Sequence, residues 1–318
     1  MQRFALILSL AATPAAGELS LTFPVDCKLD TTCYIQQFVD HDPSNTAHDF
    51  ACGTLTYDGH KGTDFAVPTI AAQAAGVNVL AAADGTVLGT RDEMPDILQI
   101  GHSAPDVTNR ECGNGLVIQH ADGFETQYCH MALGSVVVRT GQLVTAGTVL
   151  GQIGLSGKTQ FPHLHFSVRK NGKVIDPFNT DGTQACPDTT SPSLWKTAMA
   201  TPAGGIVSLG ITDKIPDFDA IKQGSANTGI KSNSAALVGW SQIFGGRSGD
   251  TVTTTITQPS GIIFSQTDTL THTQAILFRA FGKRTPQGGW PVGGYHLNIL
   301  HQRGDQIIDT ESISFFVN

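Results

Sequence analysis

The chain of 318 residues is 40% hydrophobic and 14% charged, enough to bury a sizeable core and to divide into two domains. A formal charge of −8 argues against nucleic acid as a partner, because a basic stripe would be expected there. Thirty-five glycines together with many Thr and Val favour turn-rich β structure over a helical fold.

Residues 1–17 carry one positive charge at Arg3, a short apolar run from Phe4 to Ala12, and small residues at Ala15 and Gly17. That order is expected of a secretory signal peptide cleaved before Glu18. The run is too short to span a bilayer, and no other stretch reads as a transmembrane segment. The expectation is an exported, soluble protein of the periplasm or extracellular space. Six cysteines, Cys27, Cys33, Cys52, Cys112, Cys129 and Cys186, all precede residue 190. With no Cys-x-x-Cys pair to suggest structural zinc, they read as disulfides stapling the first domain. Cys112 and Cys129 flank a hairpin and are the expected pair; the pairing of the other four stays open.

Residues 18–56 show no clean period and look like an irregular, disulfide-held segment in which His41 and His48 are solvated loop histidines. Next comes Tyr57-Asp-Gly-His60-Lys-Gly62-Thr-Asp64. His60 and Asp64 have helical spacing, but the glycines oppose a helix, and an extended strand would hold them about 13 Å apart. Only a tight glycine-supported bend delivers both side chains to one ion; an ordinary polar turn is the plain alternative. Val77–Leu80 and the stretch from Val87 read as strands around an Asp84-Gly85 turn. Residues 90–111 look like a polar surface excursion. A second hairpin runs from Leu116 through Asp122-Gly123 to Met131; on its return strand Tyr128 and His130 share a face and Cys129 takes the other. His120 is expected to be solvated beside the turn. Short strands separated by glycines follow at 136–139, 141–144 and 147–154.

In Phe161-Pro-His163-Leu-His165-Phe-Ser-Val168, alternation puts both histidines on one face, about 7 Å apart along the chain, with Leu164 and Phe166 toward a core. Residues 191–202 are the expected linker. Beyond 203, strands around 237–240, 251–256, 275–280, 294–299 and 313–317 suggest an immunoglobulin-like β-sandwich over 203–318. Trp240, Trp290 and Tyr295 read as core and turn anchors, and His272, His296 and His301 as structural. The fold class expected is therefore all-β with minor helix: an antiparallel-sheet domain over 18–190, then a sandwich whose partner the sequence does not name.

His60, Asp64, His130, His163 and His165 all lie on glycine-flanked strands or bends. Two histidines and one carboxylate make a three-ligand zinc site with a fourth position for water. Zinc acidifies that water and polarises a carbonyl, as amide hydrolysis requires, while two histidines remain to carry protons. Spacing alone does not say which of His163 and His165 would bind metal.

His60-x-x-x-Asp64, Tyr128-x-His130, the glycine-spaced run ending at Gly154, and His163-Leu-His165 occur in order over roughly residues 55–180. In this the chain resembles the lysostaphin-type, or LytM-domain, zinc metallopeptidases, which cleave peptide cross-links in peptidoglycan. The resemblance implies that His60, Asp64 and His165 hold one zinc ion per chain. It makes His130 and His163 the catalytic histidines, with Tyr128 lining the site and a peptidoglycan peptide as substrate. Non-catalytic relatives that bind wall or activate amidases, and secreted peptidases acting on proteins, are the alternative readings. The cysteine-rich N-terminal segment and the 90–111 excursion are not general features of the family.

Overall fold

A computed structural model describes residues 19–101, 104–182 and 192–318. The expected signal peptide at 1–17 and Cys186 lie outside the described residues. The first part of the chain contains β1 (Tyr34–Gln37), β2 (Thr63–Ala66), α1 (Ile70–Ala74), β3 (Asn78–Leu80), β4 (Gly85–Arg91), β5 (Asn114–Gln119), β6 (Phe124–Met131), β7 (Leu143–Val144), β8 (Val149–Gln152), β9 (His163–Lys170) and β10 (Lys173–Ile175). Its main sheet runs β1-β2-β9-β6-β5-β4-β7, with β10 paired to β9, and every pairing is antiparallel. Alternation along β9 works as expected, with Leu164, Phe166 and Val168 buried in the core beneath the sheet.

Three local expectations are corrected. Val77–Leu80 does not form a hairpin with the following strand: β3 pairs with β8, while β4 pairs with β5 and β7. The Asp84-Gly85 step therefore carries the chain from one sheet to another rather than closing a two-stranded ladder. Residues 136–139 form no strand. And β1, which has no readable period because all four residues are buried, adds an edge strand from the N-terminal segment beside β2.

The second part contains β11 (Gly205–Thr212), α2 (Phe218–Gln223), β12 (Ala236–Gly246), β13 (Thr251–Gln258), β14 (Gly261–Thr269), β15 (Gln274–Arg284), β16 (Gly293–Arg303) and β17 (Gln306–Val317). Two antiparallel sheets, β11-β12-β15 and β14-β13-β16-β17, share a core that includes Ile243, Val252, Leu277, Leu297 and Val317. The five expected strands are present; β11 and β14 are additional. Trp290 and Tyr295 sit in this core, each donating to a carbonyl (Ser234 and Pro291), while Trp240 packs with Ile221 and Ala226. His301 is fully buried and paired with Asp250 at 2.9 Å, in keeping with a structural role.

The two parts touch. Tyr34 of β1 packs against Phe244 of β12, with ring centroids 4.8 Å apart, and Phe244 belongs to the first core. Within the span expected to be linker, Leu194 and Trp195 are buried, Trp195 against Phe65, Phe166 and Phe178. Among the described residues the only two α-helices are short, and none is long and apolar enough to cross a membrane.

Candidate metal and catalytic centre

Pairing of β2 with β9 sets Asp64 directly opposite His165, and Ala66 opposite His163. His60 arrives from the turn before β2, where Gly59 adopts φ +75° and the His60 N–H closes onto the Tyr57 carbonyl. The glycine-supported bend thus forms. His60 Nε2 lies 3.2 Å from Asp64 Oδ1 and 3.2 Å from His165 Nδ1, and His165 Nδ1 lies 2.8 Å from Asp64 Oδ1. Gly62 permits this: a Cβ there would come 2.7 Å from the His165 ring and from the Phe166 carbonyl.

Hydrogen bonds on the far side of each ring assign the tautomers. His60 Nδ1–H donates to the Phe38 carbonyl at 2.6 Å. The Ser167 hydroxyl donates to the Lys61 carbonyl, so it accepts from His165 Nε2–H at 3.0 Å. Both rings therefore turn a lone pair toward a carboxylate that has no proton to offer. Three acceptors mutually 2.8–3.2 Å apart are a site that a metal cation would satisfy. Ligand atoms about 2.0–2.1 Å from a tetrahedral zinc stand about 3.3 Å from one another, so the residues present fit that ion. Burial opposes charge on Asp64, yet the neighbouring His60 and His163 hold its pKa well below the usual carboxylate range. Burial likewise opposes charge on His60, and Asp64 outweighs it, raising that pKa.

His163 stands beside the triad, Nε2 3.5 Å from Asp64 Oδ1, with Nδ1–H donating to the Phe161 carbonyl at 3.0 Å. His130 packs against it, ring centroids 4.7 Å apart, its Nδ1–H donating to the Ser156 carbonyl at 2.8 Å. Burial first, then neighbouring histidines, pushes His130 well below the ordinary imidazole pKa; burial also lowers His163. Both are neutral imidazoles whose Nδ1 is committed to a carbonyl, leaving Nε2 as the basic atom.

His130 reaches the site by breaking the alternation of its strand. Between the pairs Asn114↔Met131 and Leu116↔Tyr128, β5 spends one residue, Gly115, and β6 spends two, Cys129 and His130. This β-bulge puts His130 at φ +63° and re-aims its ring. Tyr128 consequently does not line the site: it is fully buried against Phe166, and its hydroxyl accepts from the Ala82 N–H. The tyrosine at the centre is Tyr57, half-exposed, its ring 4.5 Å from that of His60; burial and then Asp64 push its phenol to about 12, so it stays protonated. Gly115 is the bulge's requirement, since a Cβ there would run into the Tyr128 carbonyl oxygen. Gly115→Ala is expected to leave zinc content unchanged while lowering kcat by about 10²-fold, the scale of a displacement of about 1 Å. Parallel metal analysis and kinetics on the purified protein check it.

Two histidines expected in solvent are instead held inside. His41 Nε2 pairs with the buried Asp176 at 2.7 Å, its side chain only 7% exposed. His120 is buried between the Asp84 carbonyl and the Thr126 hydroxyl at 2.7 and 2.8 Å, closing the β5–β6 turn. Cys112–Cys129 is a disulfide as expected; Cys27 pairs with Cys33, and Cys52 is also disulfide-bonded. The orienting groups escaped the sequence because carbonyls of Phe38, Ser156 and Phe161 carry no residue signal. Ser167 did have one: it lies two along from His165, on the same face of β9.

Residues 58–177 match the description Peptidase family M23. Similar proteins include the peptidoglycan DD-endopeptidases ShyB and ShyA of Vibrio cholerae, each 32% identical, over 122 and 117 residues. Those alignments cover 38% and 37% of this chain and only 23% and 22% of the relatives. The DD-carboxypeptidase/endopeptidase Mpg of Neisseria meningitidis is 38% identical over 65 residues, 20% of this chain and 14% of that protein. Among solved structures, a zinc-containing peptidase from Vibrio cholerae is 28% identical, covering 49% of this chain and 39% of its own, with a TM-score of 0.34. Residues 58–177 are thus similar to the domain of peptidase family M23.

Proposed function

We propose that the protein is an exported, zinc-dependent endopeptidase that hydrolyses peptide bonds in peptidoglycan cross-links. The observation that carries this reading is the meeting of three lone pairs, from His60, Asp64 and His165, beside two neutral imidazoles. The names of the endopeptidase relatives support peptidoglycan as the substrate class, and the disulfides support an oxidising compartment. A zinc ion held by His60, Asp64 and His165 would supply Lewis-acid polarisation and acidify a water. The chain's own residues do the rest. His163 and His130, each locked by a carbonyl at Nδ1, present Nε2 to orient the nucleophile, take its proton and return it to the leaving amine nitrogen. Once protonated, either ring stabilises negative charge developing on the scissile carbonyl oxygen. We assign 18–190 to the peptidase and 203–318 to an accessory domain of immunoglobulin-like strand order, its partner open.

Digestion of defined muropeptides, read by mass, tests the proposal: the expected products are peptides split at the cross-link, absent with a chelator and restored by zinc. Cleavage that persists without metal, or of casein but not muropeptide, would overturn it.

A further inference from the structure

Resting on that catalytic reading, we propose that the Cys112–Cys129 disulfide is the positioning element for His130 and makes hydrolysis conditional on oxidation of this one pair. Cys129 immediately precedes His130 in the bulge, and the Cys112 carbonyl accepts the His130 N–H at 2.8 Å. The two halves of one cross-link, Cα atoms 4.8 Å apart, thus hold the His130 backbone from both sides. His130 needs such holding. A left-handed φ of +63° is uphill for any residue with a Cβ and persists only where the surroundings enforce it.

The neighbours continue the same unit. Gly113, also left-handed at φ +67°, passes so close to the Ser156 backbone that no Cβ fits. The Asn114 N–H donates to Ser156 Oγ at 2.8 Å, and the Ser156 carbonyl holds the His130 ring. The proposed metal ligands lie on other segments, His60 and Asp64 on the turn and β2 and His165 on β9; His165 stands opposite Cys129 in the β6–β9 register, but on its other side it is paired with Asp64 of β2. Opening the cross-link would release the His130 backbone, while the β2–β9 pairing and the His60–Asp64–His165 contacts, which do not include either cysteine, would keep the ion's site. Cys129 is buried, whereas Cys112 is partly exposed, so a thiol reagent would approach from the Cys112 side.

The chemistry balances as thiol–disulfide exchange. The two thiols give two electrons and two protons to a disulfide oxidant, which becomes a dithiol; a dithiol reductant reverses the step. A chain still reduced would hold zinc yet hydrolyse slowly, and would gain its turnover on oxidation outside the cytoplasm.

The test compares full-length, zinc-loaded wild type, Cys112→Ala/Cys129→Ala, His130→Ala and the triple variant on one defined muropeptide. The cysteine variant should keep its zinc and its KM within about threefold and lose kcat by about 10²-fold. In the His130→Ala background the same two changes should cost nothing further, because they act through His130. Dithiothreitol should bring wild type to the cysteine variant's rate, and Cys27→Ala/Cys33→Ala should respond as wild type does. An equal loss in the His130→Ala background, an unchanged kcat, or loss of zinc would overturn the inference. If wild type cleaves no muropeptide at all, the catalytic reading has failed. The positioning is then read by NMR from the slowly exchanging His130 Nδ1–H, which should vanish on reduction while that of His60 persists. A His130 signal untouched by dithiothreitol would overturn it.

Discussion

Asp64→Ala protein is expected to fold, to retain no zinc against an expected one ion per chain in wild type, and to hydrolyse muropeptide slower by at least about 10³-fold. The Lewis-acid contribution being removed is several kcal/mol, and each 1.36 kcal/mol is about a factor of ten in rate. Asp64 is the residue to choose because its Oδ1 touches both other ligands, at 3.2 and 2.8 Å, and so closes the triangle. His165→Ala should behave alike. A thermal scan adds an independent reading: zinc at about 100 times its Kd should stabilise wild type by about 2.7 kcal/mol and leave Asp64→Ala unmoved. Stoichiometric zinc in both variants would move the metal to other residues and remove the proposed mechanism with it.

His163→Ala and His130→Ala should give the complementary result, full zinc content with kcat reduced by about 10²–10⁴-fold, the range of a lost general acid–base. Their rings are in contact, so the double variant should lose far less than the product of the single losses. KM should change little, since neither ring is needed to hold the ground-state substrate. A His163→Ala protein that clears purified walls at the wild-type rate would refute its role.

Of the N-terminal segment, the sequence showed cysteines and no period, and little more was available there. Its functional contribution is a backbone atom, the Phe38 carbonyl that turns the His60 lone pair inward. β1 was illegible for a related reason: a strand buried on both faces shows no alternation. His41 and His120 were misread because their partners, Asp176 and the Asp84 carbonyl, are distant in sequence.

What the sequence offered by itself was a set of candidate side chains, with the choice of ligands among them coming from the family resemblance. Alternation in β9 puts His163 and His165 on one face, and the two glycines around His60 permit the bend that brings it to Asp64. Which tyrosine stands at the centre, and how His130 gets there, was decided by tertiary structure. An extra residue in β6 opposite Gly115 breaks the alternation that local reading must assume, sending Tyr128 to the core and His130 to the site. A bulge is a property of two strands in register, and neither strand's sequence contains the register.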